Sequence, residues 1–126
     1  MYRMPTDFDP GVLTAKYLAK LSFGQSTVHL ELARAAGPGQ SDLVSVVIFG
    51  RYIYEIAGAT YEANASQPSS GTKLVALLNQ DVSGAKVING SDLSIEFGSG
   101  NRVLVKEDPR FESYAIYLPG QAEIVV

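Results

Sequence analysis

Apolar and polar residues alternate with a period of two along most of the chain, the mark of strands that bury one face and wet the other. In Val28-His29-Leu30-Glu31-Leu32 the valine and leucines share one face, and His29 and Glu31 share the other. Leu93-Ser94-Ile95-Glu96-Phe97 repeats the arrangement, with Ser94 and Glu96 outward. Both runs have the character of half-buried antiparallel strands. Residues 43–49 are apolar on both faces, which predicts a central strand covered on two sides. After Gly50 comes Arg51-Tyr52-Ile53-Tyr54-Glu55-Ile56, where Tyr52, Tyr54 and Ile56 share a face. Further runs rich in β-branched and aromatic residues occupy 102–106, 113–118 and 123–126. Template matching predicts about eight or nine strands in all.

Turn chemistry separates these runs. Gly24-Gln25, Asn89-Gly90, Gly98-Ser99-Gly100-Asn101 and Pro119-Gly120 supply residues that tolerate positive φ or preset a bend, so neighbouring strands run antiparallel. Two longer breaks, 35–42 and 64–71, read as flexible surface loops. Helical signal is sparse: Leu74, Leu77 and Leu78 at helical spacing predict a short helix over 72–80, with Ser70 or Thr72 as its cap. Residues 12–17 fit either a second short helix or an extended lead-in. The expected fold is therefore mainly β, a β-rich α+β arrangement of antiparallel sheets in a sandwich or partly open barrel, with one or two short helices. The polarity match between 28–32 and 93–97, each preceded by a lysine-bearing strand, suggests a weak two-hairpin repeat over 16–57 and 82–126.

Composition narrows the class. A length of 126 residues and a hydrophobic content of 46% suit one domain with one continuous core. Charged residues make up 18% and the net charge is −3, so no strong field favours a nucleic-acid partner. The absence of cysteine removes disulfides, thiolate metal sites and thiol nucleophiles. The first ten residues carry two prolines and no apolar h-region, and no run has the length to span a bilayer, so the expectation is a cytoplasmic protein without membrane contact.

Candidate chemistry is thin. His29 is the only histidine, and a catalytic or metal-binding pair with Glu31 competes with the plainer assignment to a solvated strand face. Glu107, Asp108 and Glu112 lie around Arg110 within six residues, a spacing that fits one turn capped by Asp108 better than an acid pair facing a cleft. The glycine-rich 97–101 segment connects two strands and so lacks the helix N-terminus that cradles phosphate. No catalytic residue, metal or cofactor is therefore assigned. Seven tyrosines against no tryptophan draw attention to Tyr52, Tyr54 and Tyr61 beside Glu55 and Glu62, since tyrosine offers contact area with a hydroxyl at its tip.

The C-terminal part, 82–126, has a recognisable order: the Asn89-Gly90-Ser91 turn, 92–105 as a hairpin, Asp108-Pro109-Arg110-Phe111-Glu112-Ser113-Tyr114, then Pro119-Gly120 before a last strand. It resembles the bacterial DUF6188-like domains, in which a strand ends in an L-x-F-x-D-G turn and a D-P-x-Y-E-A-W segment follows. Phe111 stands where that family has tyrosine, Ser113-Tyr114 where it has Ala-Trp, and Gly98-Ser99-Gly100-Asn101 where it has Asp-Gly. Such domains look like immunity proteins of polymorphic toxins. The resemblance implies a binding protein that neutralises a cognate bacterial toxin by masking its active or functional surface, with Phe111 and Tyr114 anchoring the 108–112 turn to the sheet. Glu55, Tyr61 and Glu62 are the expected contacts, with Tyr52 and Tyr54 as anchors. The competing reading is a non-enzymatic assembly domain acting as a homodimer through an exposed strand edge.

Overall fold

Strands form where the alternation is strongest, and they assemble into two five-stranded antiparallel sheets in the computed structural model, which describes residues 8–34, 43–108, 110–118 and 123–126. In chain order they are β1 (Lys16–Phe23), β2 (Val28–Arg34), β3 (Val44–Ile48), β4 (Arg51–Ile56), β5 (Ala59–Asn64), β6 (Val82–Ile88), β7 (Asp92–Phe97), β8 (Arg102–Val105), β9 (Tyr114–Tyr117) and β10 (Ile124–Val125). One sheet, here sheet A, has the order β1-β2-β3-β9-β10; sheet B has the order β5-β4-β8-β7-β6. The mainly β architecture is as the alternation predicts. Among the described residues the sheets do not close into a barrel, although Leu18 N–H bonds to the Gln80 carbonyl (3.1 Å) and Asn79 N–H to the Leu18 carbonyl (2.8 Å), stitching β1 to the lead-in of β6.

The chain runs the same course twice. A short 3-10 segment, Pro10–Leu13, precedes β1-β2-β3, and β4-β5 then leave to join the other sheet; a second 3-10 segment, Pro68–Leu77, precedes β6-β7-β8, and β9-β10 leave in the opposite sense. Each sheet thus holds three strands of one half and a hairpin of the other. The registers agree in detail: Val28 opposes Ile48 and Ile48 opposes Tyr114, as Leu93 opposes Val105 and Val105 opposes Tyr52. A register shift interrupts β1–β2 between Leu18 and Lys20 and β6–β7 between Val82 and Gly84. Where the chain changes sheets, Phe49 N–H bonds to the Ser113 carbonyl (2.9 Å) and Lys106 N–H to the Arg51 carbonyl (3.1 Å).

One core fills the space between the sheets. Leu30, Val46, Ile48 and Ile116 of sheet A meet Tyr52, Tyr54, Ile95 and Val103 of sheet B, all at or near zero exposure. β3 is the central strand of sheet A, and even its outward Val47 is 5% exposed, in keeping with its two-sided apolar pattern.

Three local expectations need correction. β5 is an additional strand, joined to β4 by Ala57-Gly58 with φ of 52° and 85°; an Ala in the left-handed region is not an ordinary hairpin signal, and Asn101 Oδ1 steadies it by accepting the Ala57 N–H at 2.9 Å. Residues 64–71 do not form a loose loop: Ala65 and Gly71 are buried, and Ser70 Oγ accepts the Asn64 N–H at 3.1 Å while lying 2.6 Å from the Gln67 carbonyl. The helix expected over 72–80 is the 3-10 segment Pro68–Leu77, whose buried Gly71, Leu74 and Leu77 recur at the 3-10 period of three. Its N-terminal neighbour Gln67 makes no side-chain cap bond. Residues 12–17 divide between the end of the first 3-10 segment and the start of β1. The 35–42 loop and the Pro119-Gly120 turn lie outside the described residues.

Candidate functional site

Alternation in β4 decides which side chains a partner can reach. Tyr52 and Tyr54 point into the core, each 1% exposed, so neither can anchor a partner; both are structural, which corrects their assignment as contacts. Their rings stack at 5.9 Å between centroids, and Tyr54 stacks on Tyr61 of β5 at 5.1 Å. The Tyr54 hydroxyl donates to the Ser70 carbonyl at 2.9 Å. Burial raises the pKa of Tyr54, and it pushes that of Tyr52 up to about 12, with the neighbouring Tyr54 adding to the shift. Tyr61 is half-buried, with Lys73 Nζ 5.7 Å above its ring centroid.

The opposite face of the same strand carries Arg51, Ile53 and Glu55, and registers extend it across the outer face of sheet B. One row reads Gly84, Glu96, Arg102, Glu55, Thr60 from β6 to β5. Next to it lies Lys86, Ser94, Leu104, Ile53, Glu62, with the apolar Leu104 and Ile53 side by side at the middle. Beyond these, Asp92, Lys106 and Arg51 form the third row: Asp92 bonds Lys106 Nζ at 2.9 Å and accepts the Glu107 N–H at 2.8 Å. Glu55 and Arg102 pair at 3.0 Å. Ser94 faces outward as its alternation requires, yet it is fully shielded and its hydroxyl has no partner. A shallow hollow of about 250 Å³ opens among Arg51, Ile53, Glu62, Asn64 and Lys106.

Of the expected contacts, the structure therefore brings Glu55 and Glu62 onto one face, sets Tyr61 at the core edge of β5, and removes Tyr52 and Tyr54. Ile53, Arg102 and Leu104 were missed. Their signal was present in the alternation: once the aromatic side of β4 is assigned inward, Arg51, Ile53 and Glu55 must face out.

The other candidates take structural places. His29 lies on the outer face of sheet A between Ser22 and Val47, with Glu31 two residues along on the same face. Among the described residues no group of three or more histidine or acidic side chains is placed to hold a metal ion. Asp108 organises the 108–112 turn, accepting the Arg110 N–H at 3.0 Å and pairing with its guanidinium at 3.0 Å, which holds the carboxyl below its usual range. Tyr114 is fully buried, with its hydroxyl donating to the Ser91 carbonyl at 2.5 Å, while Ser113 Oγ accepts the Asp108 N–H at 2.7 Å and so ties down the turn. Phe111 does not: it is 61% exposed, with Arg110 over its ring at 5.4 Å. Gly98–Asn101 is a hairpin turn closed by Phe97 N–H on the Asn101 carbonyl at 2.9 Å. No family model, no curated protein and no solved structure matches the chain.

Proposed function

We propose that the protein is an immunity-type binder that neutralises a cognate bacterial toxin in the cytoplasm by masking its active or functional surface. The observation that carries this reading is the outer face of sheet B, where Leu104 and Ile53 sit side by side with Glu55, Glu62, Glu96 and Arg102 around them. An apolar centre inside a charged rim is the anatomy of a protein interface. Glu55, Glu62 and Glu96 share that face with Lys86 and Arg102, so the charges of both signs favour a toxin surface with the complementary pattern, which speeds association and fixes orientation. The likeness of 82–126 to immunity-type domains supports the same reading.

Co-expression with the toxin encoded by the adjacent gene tests it. The expected result is restored growth and a one-to-one complex on purification. Glu62→Arg weakens that complex by about tenfold or more, because the charge facing the toxin is reversed, while circular dichroism shows the fold retained. Absence of both rescue and complex overturns the proposal.

A further inference from the structure

The third row on the outer face of sheet B ends in a like-charge pair. Arg51 stands opposite Lys106 at the next step of the β4–β8 register, held there by Lys106 N–H on the Arg51 carbonyl at 3.1 Å, and Asn64 stands opposite Arg51 on β5. Like charges set directly across from each other cost stability. Lys106 is compensated from its other side by Asp92 at 2.9 Å, whereas Arg51 makes no ion pair among the described residues. The nearby Asp108 feels the Arg51 charge, yet both its oxygens are committed to Arg110, at 3.1 Å from Nε and 3.0 Å from Nη2. Asn64 has its amide oxygen engaged by Ser66, at 3.0 Å from the backbone N–H and 2.8 Å from the hydroxyl, which leaves its NH2 group as a donor.

These donors open on a hollow of about 360 Å³ whose wall includes Gly50, Arg51, Asn64, Lys106, Arg110 and Phe111. It lies where the two crossings between the sheets meet, so its backbone is fixed: Phe49 N–H bonds to the Ser113 carbonyl at 2.9 Å, and Asp108 N–H to Ser113 Oγ at 2.7 Å. Phe111 N–H on the Asp108 carbonyl at 3.1 Å closes the turn that holds the Phe111 ring at the hollow, 61% exposed. A large apolar ring kept in water on a rigid turn adds nothing to the core. Beside it the wall is open at Gly50, where an added Cβ would meet nothing within 4 Å. Of the two carboxylates in the wall, Asp108 is neutralised by Arg110, and Glu112 is exposed and lies toward sheet A, near Tyr117, whose pKa is raised chiefly by its hydrogen bond to Glu123 and further by the Glu112 charge.

We infer that this hollow is a binding site for a carboxylate carried on an aromatic body. Arg51 and Asn64 take the acid group, with Lys106 adding its charge, and Phe111, with Arg110 at 5.4 Å over its ring, covers the aromatic part. An anion placed between Arg51 and Lys106 relieves their repulsion. The volume is at the small end of the ~300–1,000 Å³ of ligand pockets, so it suits one ring with its acid and excludes anything as large as a dinucleotide. The acid reaches the hollow on a free small molecule or on a partner's acidic side chain beside an aromatic one; the chemistry recognised is the same. This stands apart from toxin masking, which uses Ile53, Leu104 and the charges around them, and its test needs no toxin.

Amide NMR titration of the isolated protein with phenylacetate, with its uncharged analogue phenylacetamide, and with acetyl-phenylalanyl-glutamyl amide tests the inference. Phenylacetate should shift the amides of Gly50, Arg51, Asn64 and Phe111 saturably, with a dissociation constant on the order of 1 mM, the scale for about ten non-hydrogen atoms in an open site. Phenylacetamide should bind at least about tenfold more weakly, because it lacks the charge that Arg51 recognises. Arg51→Gln should weaken phenylacetate by about tenfold or more with the fold retained by circular dichroism, Arg51→Lys by less, and Phe111→Ser by about threefold or more, while Lys86→Gln on the same sheet has no effect. Tighter binding of the peptide assigns the acid to a protein partner, and tighter binding of phenylacetate assigns it to a small molecule. No saturable shift with either acid, phenylacetamide equal to phenylacetate, or undiminished binding to Arg51→Gln would overturn it.

Discussion

Gly71 and Tyr52 form a coupled pair whose energetics can be worked from the structure. A Cβ on Gly71 would stand 2.1 Å from the Tyr52 hydroxyl oxygen, 3.3 Å from its Cζ and 3.1 Å from Phe23 Cε1. The hydroxyl is buried and makes no hydrogen bond, while the neighbouring Ser70 hydroxyl donates to the Gln67 carbonyl and accepts the Asn64 N–H. Gly71→Ala is therefore overpacking against a side chain that is 1% exposed and cannot swing out, at a cost of about 1–3 kcal/mol. Tyr52→Phe removes an unsatisfied buried hydroxyl and is expected to be neutral or to stabilise by up to about 1 kcal/mol. In the double variant the 2.1 Å contact no longer exists, so alanine at 71 costs at least about 1 kcal/mol less than it does beside tyrosine. Urea denaturation of the four proteins reads this coupling directly, and thermal melts report it at about 4 °C per kcal/mol for a chain of this size. Additive effects, or a Tyr52→Phe penalty above about 1.5 kcal/mol, would refute the reasoning.

Alkaline titration probes the same tyrosine. Its pKa is 10.0 when unfolded and about 12 when folded, so the stability tied to its proton is fully present below pH 10 and is lost as pH rises toward 12. That loss amounts to about 2–3 kcal/mol by linkage, with Tyr114 adding in the same direction, and Tyr52→Phe should flatten the profile in circular dichroism melts. Ala57→Gly should stabilise by about 0.5–1 kcal/mol, since glycine adopts the φ of 52° there without strain; a lower denaturation midpoint would contradict this. Tyr114→Phe should cost about 1–2 kcal/mol by leaving the Ser91 carbonyl unpaired, whereas Phe111→Ser should stay within about 0.5 kcal/mol; comparable losses in denaturant would mean both side chains anchor the turn. Cutting the chain after Ser66 should yield fragments that are unfolded apart and assemble when co-expressed, because each sheet needs a hairpin from the other half; an independently folded fragment by NMR would argue against this.

The alternation was enough to reveal the sheets, because a period of two in β2, β3, β4 and β7 has no competing explanation over that length. It was not enough to assign their sides. Tyr52, Tyr54 and Ile56 make a face that suits an interface and a core equally well, and only the second sheet, supplied from far along the chain, decides for the core. β5 escaped notice because Ala59-Thr60-Tyr61-Glu62-Ala63-Asn64 has few β-branched residues and follows an Ala-Gly turn in place of Asn-Gly. The second 3-10 segment passed for a loop followed by a helix because Leu74 and Leu77, three apart, satisfy both helical periods, and the earlier Gly71 gives no hydrophobic signal. Phe111 misled in the other direction: an aromatic in a turn reads as an anchor, yet the neighbouring Tyr114 and Ser113 take up the burial. On the candidate face, charged positions were legible singly, but their grouping into rows depends on the β4–β8 pairing, which joins residues about fifty apart in the chain.

The exchange of hairpins between the two halves also bears on how the molecule comes into being. β3 waits for β9, and β4 waits for β8, so during synthesis sheet B stays incomplete until β8 has been made and sheet A until β9 and β10 have. Non-local pairing of this kind slows folding and leaves strand edges open to other chains in the meantime. A cell relying on this protein would thus gain functional copies only once strands from both halves are available to pair, with a delay set by topology more than by the speed of translation.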